Sequence, residues 1–146
     1  MRTLFFCLLL AFSTFSRAEV IDIGNAELKQ LMSKGVSIID IRTQAEWEET
    51  GIITGSRLLT FFDERGRANP GEWLGKAKSI ARPEEPVIVI CRSGNRTQAV
   101  SQFLSQQAGY AKVYNVKHGL KGWFRENGPV VPAQQAIAAC QAAKTC

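Results

Sequence analysis

Two short apolar runs constrain the fold of this chain more than any other feature. Residues 36–41 read VSIIDI, and the run Val87–Ile90 reads VIVI. Short runs dominated by β-branched residues are typical of strands that are buried on both faces, as in parallel sheets. The chain also contains weaker strand candidates, and segments with helical start and stop signals lie between successive strand candidates. The sequence therefore predicts an α/β domain with a largely parallel central sheet flanked by helices.

Local signals place the other elements. Asn25 can cap a first helix that Gly35 ends, and Thr43 with Glu46 forms a capping-box pattern for a second helix running to about Thr50. The remaining segments are interpreted as strands at 55–62 and 111–116, helices at 76–81, 97–107 and 133–144, and a polar, turn-rich excursion at 63–75.

The N-terminus has the pattern of a secretory signal peptide. Arg2 precedes an uncharged apolar run over residues 4–15, and Ser16 and Ala18 occupy the −3 and −1 positions of a cleavage site. The apolar run is shorter than the roughly 20 residues that span a bilayer. We therefore expect a cleaved leader at 1–18, export to the bacterial periplasm and no stable membrane insertion afterwards. The rest of the chain divides into one domain at 19–130 and an alanine-rich helical tail at 131–146.

Charge argues against a nucleic-acid partner. The 146-residue chain has a formal net charge of +5, which falls to +3 when Arg2 and Arg17 leave with the leader. The basic residues are scattered and form no run of five or more. A modest, dispersed excess of this kind is typical of a solvated surface.

Cysteine usage leaves one thiol unaccounted for. After loss of Cys7 three cysteines remain, and an odd number in an exported protein implies one thiol outside the disulfides. Cys140 and Cys146 are close enough in sequence to form a disulfide, which leaves Cys91 as the candidate free thiol. Thiol–disulfide exchange between Cys91 and the tail pair is an alternative. With His118 as the single histidine and no CxxC motif, we expect no metal site and no cofactor.

Cys91 directly follows the VIVI strand, at the end where ligands bind in an open α/β sheet. Gly94 allows a tight turn with N–H groups pointing inward, and the next helix directs its positive dipole end to the same point. Arg92 and Arg96 add positive charge. Such surroundings lower a thiol pKa and favour the nucleophilic thiolate, and they can also hold an anionic substrate. The alternative is a buried structural cysteine.

Three segments resemble the rhodanese-like sulfurtransferases in order and spacing: residues 38–56 (IIDIRTQAEWEETGIITGS), 87–100 (VIVICRSGNRTQAV) and 119–123 (GLKGW). The resemblance extends over roughly residues 20–128 and implies a single rhodanese domain. It also implies that Cys91 carries a persulfide, taking sulfur from thiosulfate or a similar small anionic donor and passing it to a thiol, cyanide or protein acceptor. The backbone N–H groups that would stabilise the persulfide belong to Arg92, Ser93, Gly94, Asn95, Arg96 and Thr97.

Asp40 and Arg42 match the D-x-R pattern of that family. Arg42 and Glu46 are four residues apart and could pair locally. We interpret Asp40, Arg42 and Glu46 as structural support, with a wall of the substrate pocket as the alternative. In place of the family's G-H-I-x-G this chain has GIITG, with Ile52 at the histidine position, which is usually assigned to packing.

Two other functions compete with sulfur transfer. Cysteine-dependent phosphatases also combine cysteine and arginine in a strand-loop-helix, but they have five residues between the two, whereas four separate Cys91 from Arg96. A non-catalytic rhodanese-like module that binds a partner or only carries sulfur is the second alternative.

Overall fold

The computed structural model describes residues 18–146, so residues 1–17 of the predicted leader at 1–18 lie outside the described residues. The strands are β1 Glu19–Ile23, β2 Ser37–Asp40, β3 Arg57–Leu58, β4 Val87–Ile90 and β5 Lys112–Val116. The helices are α1 Asn25–Ser33, α2 Gln44–Thr50, α3 Pro70–Ile80, α4 Asn95–Gln106, α5 Gly119–Arg125 and α6 Gln134–Ala142.

The five strands form one parallel sheet in the order β1-β5-β4-β2-β3. This confirms the α/β fold with a parallel central sheet. β4 lies in the middle, between β5 and β2, and the Ile41 N–H donates to the Ile90 carbonyl at 3.0 Å. The carboxyl end of β4 is therefore central, with loops from neighbouring strands on both sides, where a ligand crevice forms in such sheets.

The VIVI run is buried on both faces, as its composition predicts. Val87 and Val89 belong to one apolar cluster with Trp73, whereas Ile88 and Ile90 belong to a second cluster on the other side of the sheet. All four residues of the strand have no exposed surface. Because helices cover both faces, a continuous apolar strand is more favourable here than an alternating one.

The starts of α1 and α3 differ from the sequence expectation. Gly24, not Asn25, precedes the first turn of α1, and the buried Asn25 side chain donates to the Gly122 carbonyl at 3.0 Å. α3 begins at Pro70, six residues before the predicted start, because the Asn69 side chain accepts from the Glu72 N–H and Pro70 occupies the first turn. The excursion is thus reduced to residues 63–69.

Asp63 holds that shortened loop together. Its carboxylate accepts from the backbone N–H groups of Arg65 and Arg67 and from the Arg67 guanidinium at 2.8–2.9 Å. The third strand is also shorter than expected, since only Arg57–Leu58 pair with β2.

The C-terminal segment packs on the domain through α6. Ile137 and Cys140 join a third apolar cluster with Trp47 and Leu58. A disulfide connects Cys140 and Cys146, as the sequence suggested, and Lys76 Nζ donates to the Cys146 carbonyl at 3.0 Å. Among residues 18–146 we find no helix with the length and apolar character needed to cross a membrane.

Candidate active site

Cys91 is the free thiol of the described chain, and its side chain is fully buried directly after β4. The Gly94 N–H donates to Cys91 Sγ at 3.2 Å, and Thr97 Oγ1 lies 3.5 Å from the same sulfur. Thr97 Oγ1 also donates to the Gly94 carbonyl at 3.0 Å. The loop therefore curls around the sulfur and presents a backbone donor to it.

Helix α4 begins at Asn95, two residues earlier than the sequence suggested, and Gly94 is its N-cap. Gly94 has φ +96°, and a Cβ at this position would collide with the Lys117 carbonyl. Glycine is required here for both reasons. The early start places the positive dipole end of α4 next to the loop that holds the sulfur, where negative charge is stabilised. Among the backbone N–H groups of Arg92 to Thr97, that of Gly94 is the one that donates to the sulfur.

The first turn of α5 supports the cysteine loop through backbone hydrogen bonds. The Leu120 N–H donates to the Cys91 carbonyl and the Lys121 N–H donates to the Arg92 carbonyl, both at 2.9 Å. Gly119 has φ +54°, and a Cβ there would overlap the Cys91 and Arg92 carbonyls. The GLKGW segment thus positions the loop. Sequence reasoning missed this role, although the glycine that opens the segment was a usable signal for close backbone approach.

Arg96 pairs with Glu46 across the site. Arg96 Nη1 donates to Glu46 Oε2 at 2.8 Å and Nη2 donates to Oε1 at 2.6 Å. Partial burial alone would raise the pKa of Glu46, but hydrogen bonds from Arg96 and Thr43 and the charges of Arg96 and Arg42 lower that pKa to about 2. The hydrogen bond to Glu46 raises the pKa of Arg96 despite partial burial, so both groups are charged at neutral pH.

This ion pair changes the expected roles of both residues. Glu46 does not pair with the Arg42 guanidinium through its carboxylate; Arg42 Nη1 donates to the Glu46 backbone carbonyl at 3.1 Å instead. The Thr43–Glu46 capping box is present. Direct binding of a substrate anion by Arg96 stays a prediction, and such an anion would compete with Glu46 for the guanidinium.

Asp40 and Arg42 form a buried pair, with both side chains 1% exposed. Arg42 Nε donates to Asp40 Oδ1 at 3.0 Å and Nη2 donates to Oδ2 at 2.7 Å. Arg42 also donates to Thr50 Oγ1 at 2.7 Å and to the Gly51 carbonyl at 2.9 Å. The guanidinium therefore ties the end of β2 to both ends of α2, which agrees with structural support. Ile52 and Trp47 are buried.

Arg92 is exposed, and in the described part of the chain its guanidinium has no ion-pair partner. It lies between two surface depressions. The larger, of about 790 Å³, is open and is lined by Thr43, Ala45, Glu46, Phe62, Asp63, Glu64, Gly66, Arg92, Asn95, Arg96 and Ala99. The smaller, of about 160 Å³, is lined by Arg42, Glu46, Glu49, Thr50, Arg92, Leu120, Lys121 and Phe124. Ser93 is half-buried in the loop between them.

The tail cysteines and Cys91 belong to different apolar clusters. The Cys140–Cys146 bond therefore fits the interpretation of a structural link within the tail better than that of an exchange partner for Cys91.

Comparisons with known proteins show which proteins this chain is similar to. A family model for the rhodanese-like domain matches residues 24–126. The chain is 29% identical to Thiosulfate sulfurtransferase 18 of Arabidopsis thaliana, over 81% of this chain and 88% of the relative. It is 31% identical to the uncharacterized protein YibN of Escherichia coli strain K12, over 82% and 76% of the two chains. A rhodanese-related protein from Thermoplasma volcanium superposes with a TM-score of 0.58 at 29% identity, over 76% and 97% of the two chains.

Proposed function

Because the chain belongs to the rhodanese-like domain family, we propose that it is a sulfurtransferase that carries sulfur as a persulfide on Cys91. The observation that carries the proposal is the convergence of the Gly94 N–H and the N-terminus of α4 on the sulfur of a free cysteine. The Arabidopsis thaliana relative, which matches most of both chains, is named Thiosulfate sulfurtransferase 18, and this supports a rhodanese-type enzyme at the level of the family.

The reaction has two steps on one sulfur. The Cys91 thiolate attacks the outer sulfur of thiosulfate, a new S–S bond forms to Cys91, and sulfite leaves with the electron pair of the broken bond. A nucleophilic acceptor such as cyanide or a thiolate then attacks the outer sulfur of the persulfide, and Cys91 leaves as a thiolate. Charge and electrons balance in both steps, so no oxidant is needed, and ping-pong kinetics are expected.

The residues around Cys91 stabilise its anionic forms. The Gly94 N–H donates to the sulfur, and the first turn of α4 adds the positive end of its dipole. Arg92 is the exposed cation at the loop and is suited to attract a doubly charged donor. Arg96 is held by Glu46, so we assign it mainly to keeping the loop in shape.

Burial of the sulfur sets a condition on the first step. The Cys91 side chain has no exposed surface, and neither depression beside Arg92 includes it among its lining residues. A donor therefore has to displace part of the loop, in which Ser93 is small and half-buried. This favours donors with a small, unbranched terminal sulfur.

The decisive experiment is intact mass spectrometry of the protein after treatment with thiosulfate. We expect the mass of one additional sulfur atom, release of an equal amount of sulfite, and loss of the added mass after cyanide. Cys91→Ser should remain unmodified, and the Cys140→Ser/Cys146→Ser double variant should be loaded like the original chain. If no sulfur is added to a folded protein, the sulfurtransferase proposal is wrong.

Export to the bacterial periplasm is part of the proposal. The leader pattern at residues 1–18 supports it, and so does the disulfide of the tail, since disulfides persist in oxidising compartments. The mass of the protein recovered from a periplasmic fraction tests this: we expect a chain that begins at Glu19. Recovery of the full-length chain from the cytoplasm alone would contradict it.

A further inference from the structure

Helix α5, the residue Lys117 just before it and the neighbouring cysteine loop together carry four exposed cationic side chains and one exposed aromatic side chain. We call this set the α5 basic surface; its members are Arg92, Lys117, Lys121, Phe124 and Arg125. Phe124 is 39% exposed, among the most exposed large apolar side chains of the described residues. None of the four cations has an ion-pair partner within residues 18–146.

This surface is continuous with the Cys91 site. The Lys121 N–H donates to the Arg92 carbonyl at 2.9 Å, and the Lys117 carbonyl lies against Gly94. Arg92, Lys121 and Phe124 line the same small depression. A molecule that contacts the surface is therefore held beside the loop that carries the reactive sulfur.

The surface extends beyond what a small donor needs. Of the five members, Arg92 borders both depressions, Lys121 and Phe124 line the smaller one, and Lys117 and Arg125 line neither. An exposed aromatic side chain among arginine and lysine is a composition suited to a protein interface, where aromatic and arginine side chains supply most of the binding energy. The acidic residues next to the surface are Glu46, Glu49 and Glu126. The Glu46 carboxylate is paired with Arg96, so positive charge predominates. Charge complementarity selects an acidic partner.

We infer that the α5 basic surface receives the sulfur acceptor, and that this acceptor is an acidic protein or peptide with a reactive thiol. The inference rests on the proposed sulfur transfer. The acceptor thiolate attacks the outer sulfur of the Cys91 persulfide and forms a new S–S bond in the acceptor. The bond from that sulfur to Cys91 breaks, and Cys91 leaves as a thiolate with the electron pair.

The test compares two peptides of equal length, each with a single cysteine, surrounded by aspartates in one and by serines in the other. The purified protein is loaded with sulfur, and kcat/KM is measured for each peptide. We expect a preference for the aspartate peptide of about tenfold at low ionic strength, which decreases as salt is added. Lys121→Glu and Arg125→Glu should each remove most of this preference.

Matched variants separate the surface from general charge effects. Lys78→Glu changes the net charge equally at an exposed position on α3 and should keep the preference, as should Arg125→Lys. Loss of the preference in Lys78→Glu to the same degree as in Arg125→Glu would overturn the inference. Because each ratio is taken within one preparation, a partly unfolded variant does not distort it.

Cyanide turnover, measured in the same preparations, distinguishes the two proposals. Absence of transfer to cyanide and to both peptides would contradict the proposed function. Turnover with cyanide but equal rates with the two peptides would overturn the acceptor surface alone. Equal peptide rates together with binding to phosphatidylglycerol vesicles would assign the surface to a membrane and would likewise overturn the inference.

Discussion

Gly94 combines two requirements that no other residue type meets. Its left-handed φ of +96° is costly for a residue with a Cβ, and the Cβ itself would collide with the Lys117 carbonyl. The same residue supplies the N–H that donates to Cys91 Sγ. A side chain at this position therefore disturbs the backbone at the reactive sulfur.

We expect Gly94→Ala to reduce the rate of sulfur loading from thiosulfate by at least about tenfold, which corresponds to 1.36 kcal/mol in the activation barrier. Gly109→Ala is the matched control, because Gly109 has φ +76° but nothing lies within 4 Å of its added Cβ. The control should lose about 1 kcal/mol of stability from strain and keep its loading rate. Equal loading rates for the two variants would contradict the role assigned to Gly94 at the Cys91 sulfur.

The pH dependence of stability reports on the Glu46–Arg96 pair. A carboxyl group whose pKa is lower in the folded chain stabilises the fold above its unfolded pKa, and this contribution is lost as pH falls through the folded pKa. For Glu46 that interval runs from the ordinary value of 4.5 down to about 2. Acidification through this interval should therefore weaken the fold in part through Glu46.

Urea unfolding of Glu46→Gln checks this expectation. The variant should be less stable than the original chain at pH 7, and the difference between the two should shrink as the pH approaches 2. Glu49→Gln, an exposed carboxyl on the same helix, should differ little from the original chain at any pH. A constant difference between Glu46→Gln and the original chain across this range would contradict the assigned pKa.

At the scale of elements, local signals were predictable and long-range pairings were not. The capping box of Thr43 and Glu46 joins residues three apart, so the sequence predicted it correctly. The pairing of Glu46 with Arg96 joins residues fifty apart, and only the parallel alignment of β2 with β4 brings them together. The sequence could therefore identify both residues as members of the site but not as partners.

The start of α3 illustrates a second limit. Asparagine and proline are frequent in turns, and for this reason Asn69 and Pro70 were predicted to belong to the excursion at 63–75. The same two residues are also favourable at an N-cap and in a first turn. Trp73 is buried, and its indole N–H donates to the Leu59 carbonyl at 3.0 Å. This tertiary contact stabilises the helix, and the local sequence does not reveal it.

Substitution of Asn69 tests whether its side chain stabilises the start of α3. Asn69→Ala should lower the free energy of unfolding by about 1 kcal/mol, because the Glu72 N–H loses its acceptor. Asn69→Ser, which keeps an acceptor oxygen, should remain close to the original stability. Chemical unfolding measures both, and equal stability of the alanine and serine variants would show that the cap contributes nothing.

At the scale of the whole molecule, α6 and its disulfide extend the domain at its C-terminal end. α6 covers Trp47 and Leu58, which would otherwise expose apolar surface of α2 and β3. The disulfide joins residues only six apart, so it constrains the end of the helix and not the fold of the sheet.

The Cys140→Ser/Cys146→Ser double variant should lose about 2 kcal/mol of stability, the lower part of the range for disulfides, because the closed loop is short. Its persulfide loading on Cys91 should remain, since the tail cysteines lie in a different cluster. Thermal unfolding with the loading assay checks both outcomes. Loss of loading in a folded double variant would instead support thiol–disulfide exchange between Cys91 and the tail cysteines.

If the chain is exported as proposed, the complete burial of Cys91 has a consequence for the survival of its free thiol. Exchange with a foreign disulfide proceeds by thiolate attack through a mixed-disulfide intermediate, and its rate depends on access. The fold around Cys91 blocks the approach of a bulky disulfide to Cys91 Sγ itself, because the side chain has no exposed surface. A protein acceptor in the proposed transfer attacks the outer sulfur of the persulfide and not this atom, so burial of Sγ can protect the unloaded thiol without excluding such an acceptor.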